Sequence, residues 1–212
     1  MNQHDSELIE GQLREHGMIR AETAEQSDLV ILNTCSVRER PMLKIVSRIG
    51  ALEKLPEPPV IGVCGCVAQQ EGSSLLERSP SVGFVLGPGQ IGRGGEADAS
   101  VRRGERAVLT DFDAEREFNF NTIFRKSETR GMVTVVEGCN EFCTFCIVPY
   151  TRGREVSRTL DEVLAEVRFL AASGLKEVEL LGQTINAYSC PSSGAVFADL
   201  LESVAAVPGI HR

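Results

Sequence analysis

Three short apolar runs, Leu29-Val-Ile-Leu-Asn33, Val60-Ile-Gly-Val63 and Phe84-Val-Leu86, restrict the fold of the first half of this 212-residue chain more than any other feature. Each is too short for a helix and lacks the polar alternation of a strand with one wet face. Each therefore reads as a strand buried on both sides. Helical patterns lie around them. Residues Asp5 to Gly17 carry a Leu8/Ile9/Leu13 stripe, with Asp5 or Ser6 as cap and Gly17 as stop, and further helices are expected near 41–54 and 68–77. The third run meets a Gly87-Pro88-Gly89 turn. Strand, helix, strand, helix, strand is the pattern of an α/β domain built on a parallel sheet. Ligands of such sheets lie beyond the carboxyl ends of the strands. Cys35 and Cys66 fall there, after the first and second runs. Either they converge on one site or they are two buried, inert thiols.

Beyond about Ile91 the periodicity dissolves, and residues 93–130 read as a connection, with a short strand possible at Ala107-Val-Leu109. Phe118, Phe120 and Phe124 in this stretch read as packing residues rather than a base-stacking surface. Gly131-Met-Val-Thr-Val-Val136 is a further buried strand, and Glu177-Val-Glu-Leu-Leu181 the next strand after it. Between them lies a helix over about 160–173, with Thr159 and Glu162 as a capping box and Gly174 as its stop. A last helix is expected over about 197–207, and Ile210 begins a further strand.

Cys139, Cys143 and Cys146 follow the strand at 131–136 in the pattern C-x3-C-x2-C. Three soft thiolates so close together suit an iron–sulfur cluster or zinc. A structural zinc site needs a fourth ligand at a paired spacing, and after Cys146 the chain offers only the isolated Cys190 and His211. Three protein ligands to a four-iron cluster leave one iron open. The placement beyond a strand's carboxyl end is where β/α barrels put catalytic loops. The alternatives are a partial zinc knot or a cluster of buried cysteines.

The composition, 42% hydrophobic and 25% charged, is that of a soluble globular chain. No apolar run approaches a membrane span, and no leader pattern opens the chain. No membrane partner is expected. Seven cysteines without a leader point to a reducing, cytoplasmic setting and metal chemistry rather than disulfides. A formal charge of −8 argues against gripping nucleic acid by bulk electrostatics. The basic clusters at Arg38/Arg40/Lys44/Arg48, Arg102/Arg103/Arg106 and Arg152/Arg154/Arg158 read as solvated faces or structural pairs.

Several of these stretches together resemble the methylthiotransferase family of radical S-adenosylmethionine (SAM) enzymes. Asn33-Thr-Cys-Ser-Val-Arg-Glu39 and Gly65-Cys-Val-Ala-Gln69 are similar to two cysteine motifs of its N-terminal iron–sulfur domain. Gly138-Cys-Asn-Glu-Phe-Cys-Thr-Phe-Cys146, Val148-Pro-Tyr-Thr-Arg-Gly153 and Leu180-Leu-Gly-Gln-Thr-Ile-Asn186 resemble its radical SAM part and its tRNA-modifying branch. The resemblance implies an N-terminal parallel-sheet α/β domain over 1–92, a linker over 93–130, and the first part of a radical SAM β/α (partial TIM-type) barrel over 131–212. It implies two [4Fe-4S] clusters, one on Cys139, Cys143 and Cys146 and one on Cys35 and Cys66, with SAM bound at the first.

The implied reaction places a methylthio group on C2 of N6-isopentenyladenosine beside the tRNA anticodon. An electron donor such as a flavodoxin or ferredoxin is implied with it. Phe145 is placed near the SAM adenine and Gln183 near its polar end, with a core aromatic and a loop-capping amide as the ordinary alternatives. Arg152, Arg154 and Arg158 would meet SAM or RNA phosphate, or pair structurally with Glu155 or Asp161. The family's first motif has the form G-C-Q-M-N, and this chain opens Met1-Asn2, as if two residues past that cysteine. Cys64 is a conceivable stand-in for the third ligand. The two βα units present are fewer than a barrel needs, at about 30 residues each. The chain is thus expected to be truncated at both ends and inert by itself. Other readings are methylthiolation of a ribosomal-protein aspartate and a non-catalytic metal-binding fragment.

Overall fold

The computed structural model describes residues 1–37, 40–112, 123, 125 and 127–212. Arg38, Phe118, Phe120 and Phe124, considered above, lie outside the described residues. The chain divides into two compact units, one over Asn2–Phe124 and one over Arg125–Arg212 together with Met1.

The first unit is a parallel α/β sheet. Its strands β1 (Leu29–Thr34), β2 (Val60–Gly65), β3 (Val82–Leu86) and β4 (Ala107–Leu109) lie in that order, and every neighbouring pair is parallel. β3 is buried throughout, as an all-apolar strand with covered faces should be. Helix α1 (Asn2–Glu15) precedes β1, and α2 (Pro41–Leu52) follows it with Pro41 at its first position. The helix expected over 68–77 is two short ones, α3 (Cys66–Glu71) and α4 (Ser74–Arg78). Gly72, at φ +52 between them, breaks the run. Helix α5 (Gly94–Arg102) and β4 fall within the stretch read as a connection. A three-residue strand shows no periodicity, and a helix opening on Gly94-Gly95 has a weak apolar stripe, so neither announces itself locally.

One core packs Ile45, Ile49 and Leu52 of α2 against Ile61, Val63 and Val85 of the sheet. A second packs Ile9 of α1 against Cys64, Phe84 and Leu86. The Cys64 thiol is thus a buried core group, and burial pushes its pKa up. Period-two alternation along β2 turns Cys64 into this apolar layer.

In the second unit, β5 (Arg130–Thr134) pairs in parallel with β8 (Glu177–Leu181), joined through α7 (Leu160–Ala172). The strand expected over 131–136 therefore ends earlier. β6 (Val136–Glu137) continues it, but pairs antiparallel with β7 (Val156–Ser157). Helix α6 (Val148–Thr151) lies between β6 and β7, and α8 (Phe197–Ala205) follows β8. Val133, Val136, Val163, Leu170 and Leu200 form the core of this unit. At the expected last strand, Val178 donates its N–H to Arg212 O at 2.8 Å.

The capping box of α7 is formed. Thr159 Oγ accepts from Glu162 N at 3.3 Å, and the Glu162 carboxylate accepts from Thr159 N and Oγ at 2.8 and 2.7 Å. The Thr159 hydroxyl holds the Glu162 carboxyl below its ordinary range, against partial desolvation and with help from the Thr159 N–H and the Arg158 charge. A lowered carboxyl pKa contributes stability that is present above its unfolded value and lost as pH falls through the folded one. Thr159→Ala is expected to cost about 0.5–2 kcal/mol at neutral pH. The part carried by the Glu162 carboxylate should be lost progressively as pH falls from neutral through and below the ordinary glutamate value of about 4.3. Urea denaturation of the two proteins across that range checks both.

Candidate metal centre

The first candidate site is set by parallel register. Thr34 pairs with Gly65, so Cys35 and Cys66 are the next residues off two adjacent strand ends. Thr34 ties those ends together, donating its hydroxyl to Cys64 O at 2.6 Å and accepting from Val67 N at 3.1 Å. The start of α1 is pinned to the same place: Asn2 Nδ2 donates to Asn33 Oδ1 at 3.0 Å and to Thr34 O at 3.2 Å, and Asn33 Nδ2 donates to Asn2 O at 2.9 Å. Gly65 has φ +92, and a Cβ on it would lie 2.4 Å from Thr34 O. The turn that presents Cys66 therefore requires glycine. Both thiols are free. A groove of ≈ 990 Å³ between α1, residues 17–28 and β1 is lined by Leu13, Arg14, Ile31 and Asn33 among others, and none of the cysteines lines it.

The second candidate site is the loop between β6 and β7, which carries Cys139, Cys143 and Cys146. Its base is held at many points. Gly138 N donates to Gln183 Oε1 at 2.6 Å, Cys139 N donates to Gly153 O at 3.2 Å, and Glu155 N donates to Asn140 Oδ1 at 3.2 Å. Gly138 has φ +80, and a Cβ there would lie 2.2 Å from Arg154 O. Glu137 and Arg152, at the two feet of the loop, form a buried ion pair at 2.7 Å. Removing one partner of such a pair leaves a buried charge, at a cost of about 3–5 kcal/mol.

The three thiols are free but differently placed: Cys139 is buried, Cys143 exposed and Cys146 half-buried. Cys146 N donates to Cys143 O at 2.9 Å, closing a turn between them. Cys139 Sγ lies 3.1 Å from Thr184 Oγ1. Among the described residues, no three His, Cys, Asp or Glu side chains close around one point tightly enough to hold a metal ion. The donor set nevertheless suits a thiolate-bound cluster in kind. Three free thiols sit on one short, pinned loop.

Phe145 is 91% exposed beside Cys146. Gln183 is occupied as the amide that caps Gly138, a role its position after β8 allowed for. The arginines take partners other than those considered. Arg152, 4% exposed, pairs with Glu137 instead of Glu155. Arg158, 3% exposed, pairs with Glu166 at 2.6 Å instead of Asp161, and also donates to Thr134 O. Neither side chain can reach an external phosphate. Arg125 also approaches Glu166, at 3.6 Å. Burial raises the Glu166 carboxyl pKa, opposed by the Arg158 and Arg125 charges. Arg154 lies over the Phe142 ring at 4.6 Å, and Phe142 meets Tyr150 edge-on at 6.0 Å.

The isolated Cys190 is a free, buried thiol that accepts from Leu160 N at 3.3 Å, with Ser192 Oγ also at 3.3 Å. Burial alone would push its thiol up, but hydrogen bonds from Ser192, Ser193 and Leu160 N outweigh that and lower it to about 6. Glu137, Thr184 and the Asn2–Asn33 pair carry no periodic or spacing signal that would single them out.

The two units match known families in the order the motifs imply. Residues 1–87 match uncharacterized protein family UPF0004, and residues 133–207 match the radical SAM superfamily. The chain therefore combines a UPF0004 domain with a radical SAM domain. Along its whole length it is similar to curated bacterial synthases. It is 44% identical to the tRNA-2-methylthio-N(6)-dimethylallyladenosine synthase of Mannheimia succiniciproducens, 43% to that of Ralstonia pickettii and 44% to that of Anaeromyxobacter dehalogenans. All of this chain is covered in each match, but only 46%, 48% and 46% of the relatives, so it spans about half their length. The radical S-adenosylmethionine methyltransferase TsrM of Kitasatospora setae, solved with tryptophan and a SAM analogue, shares the fold with a TM-score of 0.55 at 16% identity. That match covers 94% of this chain and 47% of that one.

The glycines of the two sites give a signed test. Gly65→Ala and Gly138→Ala should each destabilise the chain by about 1–3 kcal/mol from backbone strain, before any clash is counted. Gly50→Ala, inside α2 with nothing within 4 Å of its Cβ, should stabilise it by about 0.5–1 kcal/mol. Denaturant titration of the three variants checks magnitude and sign.

Proposed function

We propose that this chain is the UPF0004 and radical SAM part of an enzyme that adds a methylthio group to C2 of N6-isopentenyladenosine next to the tRNA anticodon. The observation that carries this reading is the whole-length identity of 42–44% to curated synthases named for that reaction, with all five site cysteines present as free thiols. Cys139, Cys143 and Cys146 would hold one [4Fe-4S] cluster, and Cys35 and Cys66 would supply ligands to a second. When bound, the first supplies the electron that splits SAM and leaves an iron for SAM to chelate, and the second supplies the sulfur.

The protein's own residues divide the remaining work. The β6–β7 loop presents its thiols above a base paired through β6 and β7, and Gln183 fixes the residue before Cys139. Phe145, already exposed, is available to cover the SAM adenine. The substrate is tRNA, the electron comes from a flavodoxin or ferredoxin, and the setting is cytoplasmic. No helix among the described residues is long and apolar enough to cross a membrane.

Two measurements test the proposal. Anaerobic reconstitution with iron and sulfide should give a paramagnetic reduced cluster whose spectrum changes on adding SAM. Cys139→Ala, Cys143→Ala or Cys146→Ala should abolish that change, while Cys64→Ala leaves it intact. Stoichiometric zinc with no SAM response would instead identify a metal-binding module. Mass spectrometry of tRNA nucleosides from cells lacking the gene should show 2-methylthio-N6-isopentenyladenosine lost and N6-isopentenyladenosine accumulated. Unchanged tRNA with an unmodified ribosomal-protein aspartate would assign the sister reaction.

A further inference from the structure

A loop that must offer three thiols to one centre has to be shut at its base before the centre arrives. Closing it costs chain entropy that grows with its length. The backbone pairing available is slight: β6 and β7 share only the rungs Val136↔Ser157 and Glu137↔Val156, and two short strands alone are marginal. The glycine contacts at Gly138 allow close approach of the two feet but supply no attraction of their own.

Hydrogen bonds from Gly138 N to Gln183, Cys139 N to Gly153 O and Glu155 N to Asn140 add to this pairing, and an ion pair joins the side chains of the two feet. Glu137 is the last residue of β6, two before Cys139, and Arg152 follows α6, one before Gly153, whose carbonyl takes the Cys139 N–H. The two side chains meet at 2.7 Å while nearly excluded from water. A buried pair is a poor way to gain bulk stability, since apolar residues of similar volume often do as well or better. It is a good way to fix one geometry, because either charge left alone is strongly penalised.

We infer that Glu137 and Arg152 are positioning residues for the thiol loop: their ion pair clamps its two feet and so holds Cys139, Cys143 and Cys146 ready for a metal centre. The inference rests on the cluster reading for its purpose, but not for its geometry.

The test separates clamping from mere core packing. Glu137→Gln, Arg152→Met, Arg152→Lys and the double variant Glu137→Leu/Arg152→Met are compared with the unaltered chain. For each, amide hydrogen exchange of the metal-free protein is followed in the segment 136–147 and, as control, in α7. Melting temperature, iron content after reconstitution and the SAM-induced spectral change are measured alongside. Glu137→Gln and Arg152→Met should raise exchange in the loop on the order of tenfold or more relative to α7 and lower iron uptake. The double variant should recover the melting temperature but neither loop protection nor iron uptake. Arg152→Lys, which keeps the charge without the planar fork, should fall between and remains informative if the double variant does not fold. Loop protection and iron uptake at the unaltered level in the double variant, or in both single variants, would overturn the inference. If the unaltered chain takes up no SAM-responsive cluster while the single variants still lose loop protection, the clamp stands and the cluster reading falls.

Discussion

Backbone pairing at the carboxyl ends of parallel strands is the constraint on which both candidate sites depend. Thiols are poor at organising a fold by themselves, so their placement has to come from hydrogen bonds that other residues make. In the first unit the Thr34–Gly65 rung puts Cys35 and Cys66 side by side as the chain leaves the sheet, and the Thr34 hydroxyl ties the two ends together. In the second, Val135 N bonds Leu181 O just beyond the β5–β8 ladder, and the chain then turns into the β6–β7 pair that carries the triad. Both arrangements obey the rule that parallel sheets bind ligands beyond their strand ends.

Charge is used inside the second unit to hold backbone in place. Arg152 and Arg158 belong to a basic cluster that could have met phosphate, yet both are turned inward onto Glu137 and Glu166. Arg158 also bonds Thr134 O, where β5 ends, so it supports the strand from which the thiol loop departs. Arg154 alone of the three faces outward, over the exposed Phe142 ring.

Cys64 and Cys190 show how little a cysteine's position in the chain says about its chemistry. Cys64 is two residues from Cys66 but packs with Phe84 and Leu86, where burial favours the neutral thiol. Cys190 is far from either motif, yet its hydrogen bonds from Leu160 N and the neighbouring serines favour thiolate. The difference lies in what surrounds each sulfur.

The sequence by itself determined what local patterns can encode: buried strands from unbroken apolar runs, the start of α7 from Thr159 and Glu162, and a thiol-rich loop from Cys139, Cys143 and Cys146. These depend on residues a few positions apart, so a window along the chain contains the cause. Only the tertiary structure decided that Arg152 and Arg158 face Glu137 and Glu166, that Gln183 closes on Gly138 across the turn after β8, and that residues 94–109 complete the first sheet. The physical reason is that a side chain's partner is chosen by which groups share its desolvated space once the strands have paired. That choice is made between residues up to 45 positions apart, as for Gly138 and Gln183, where no periodicity records it.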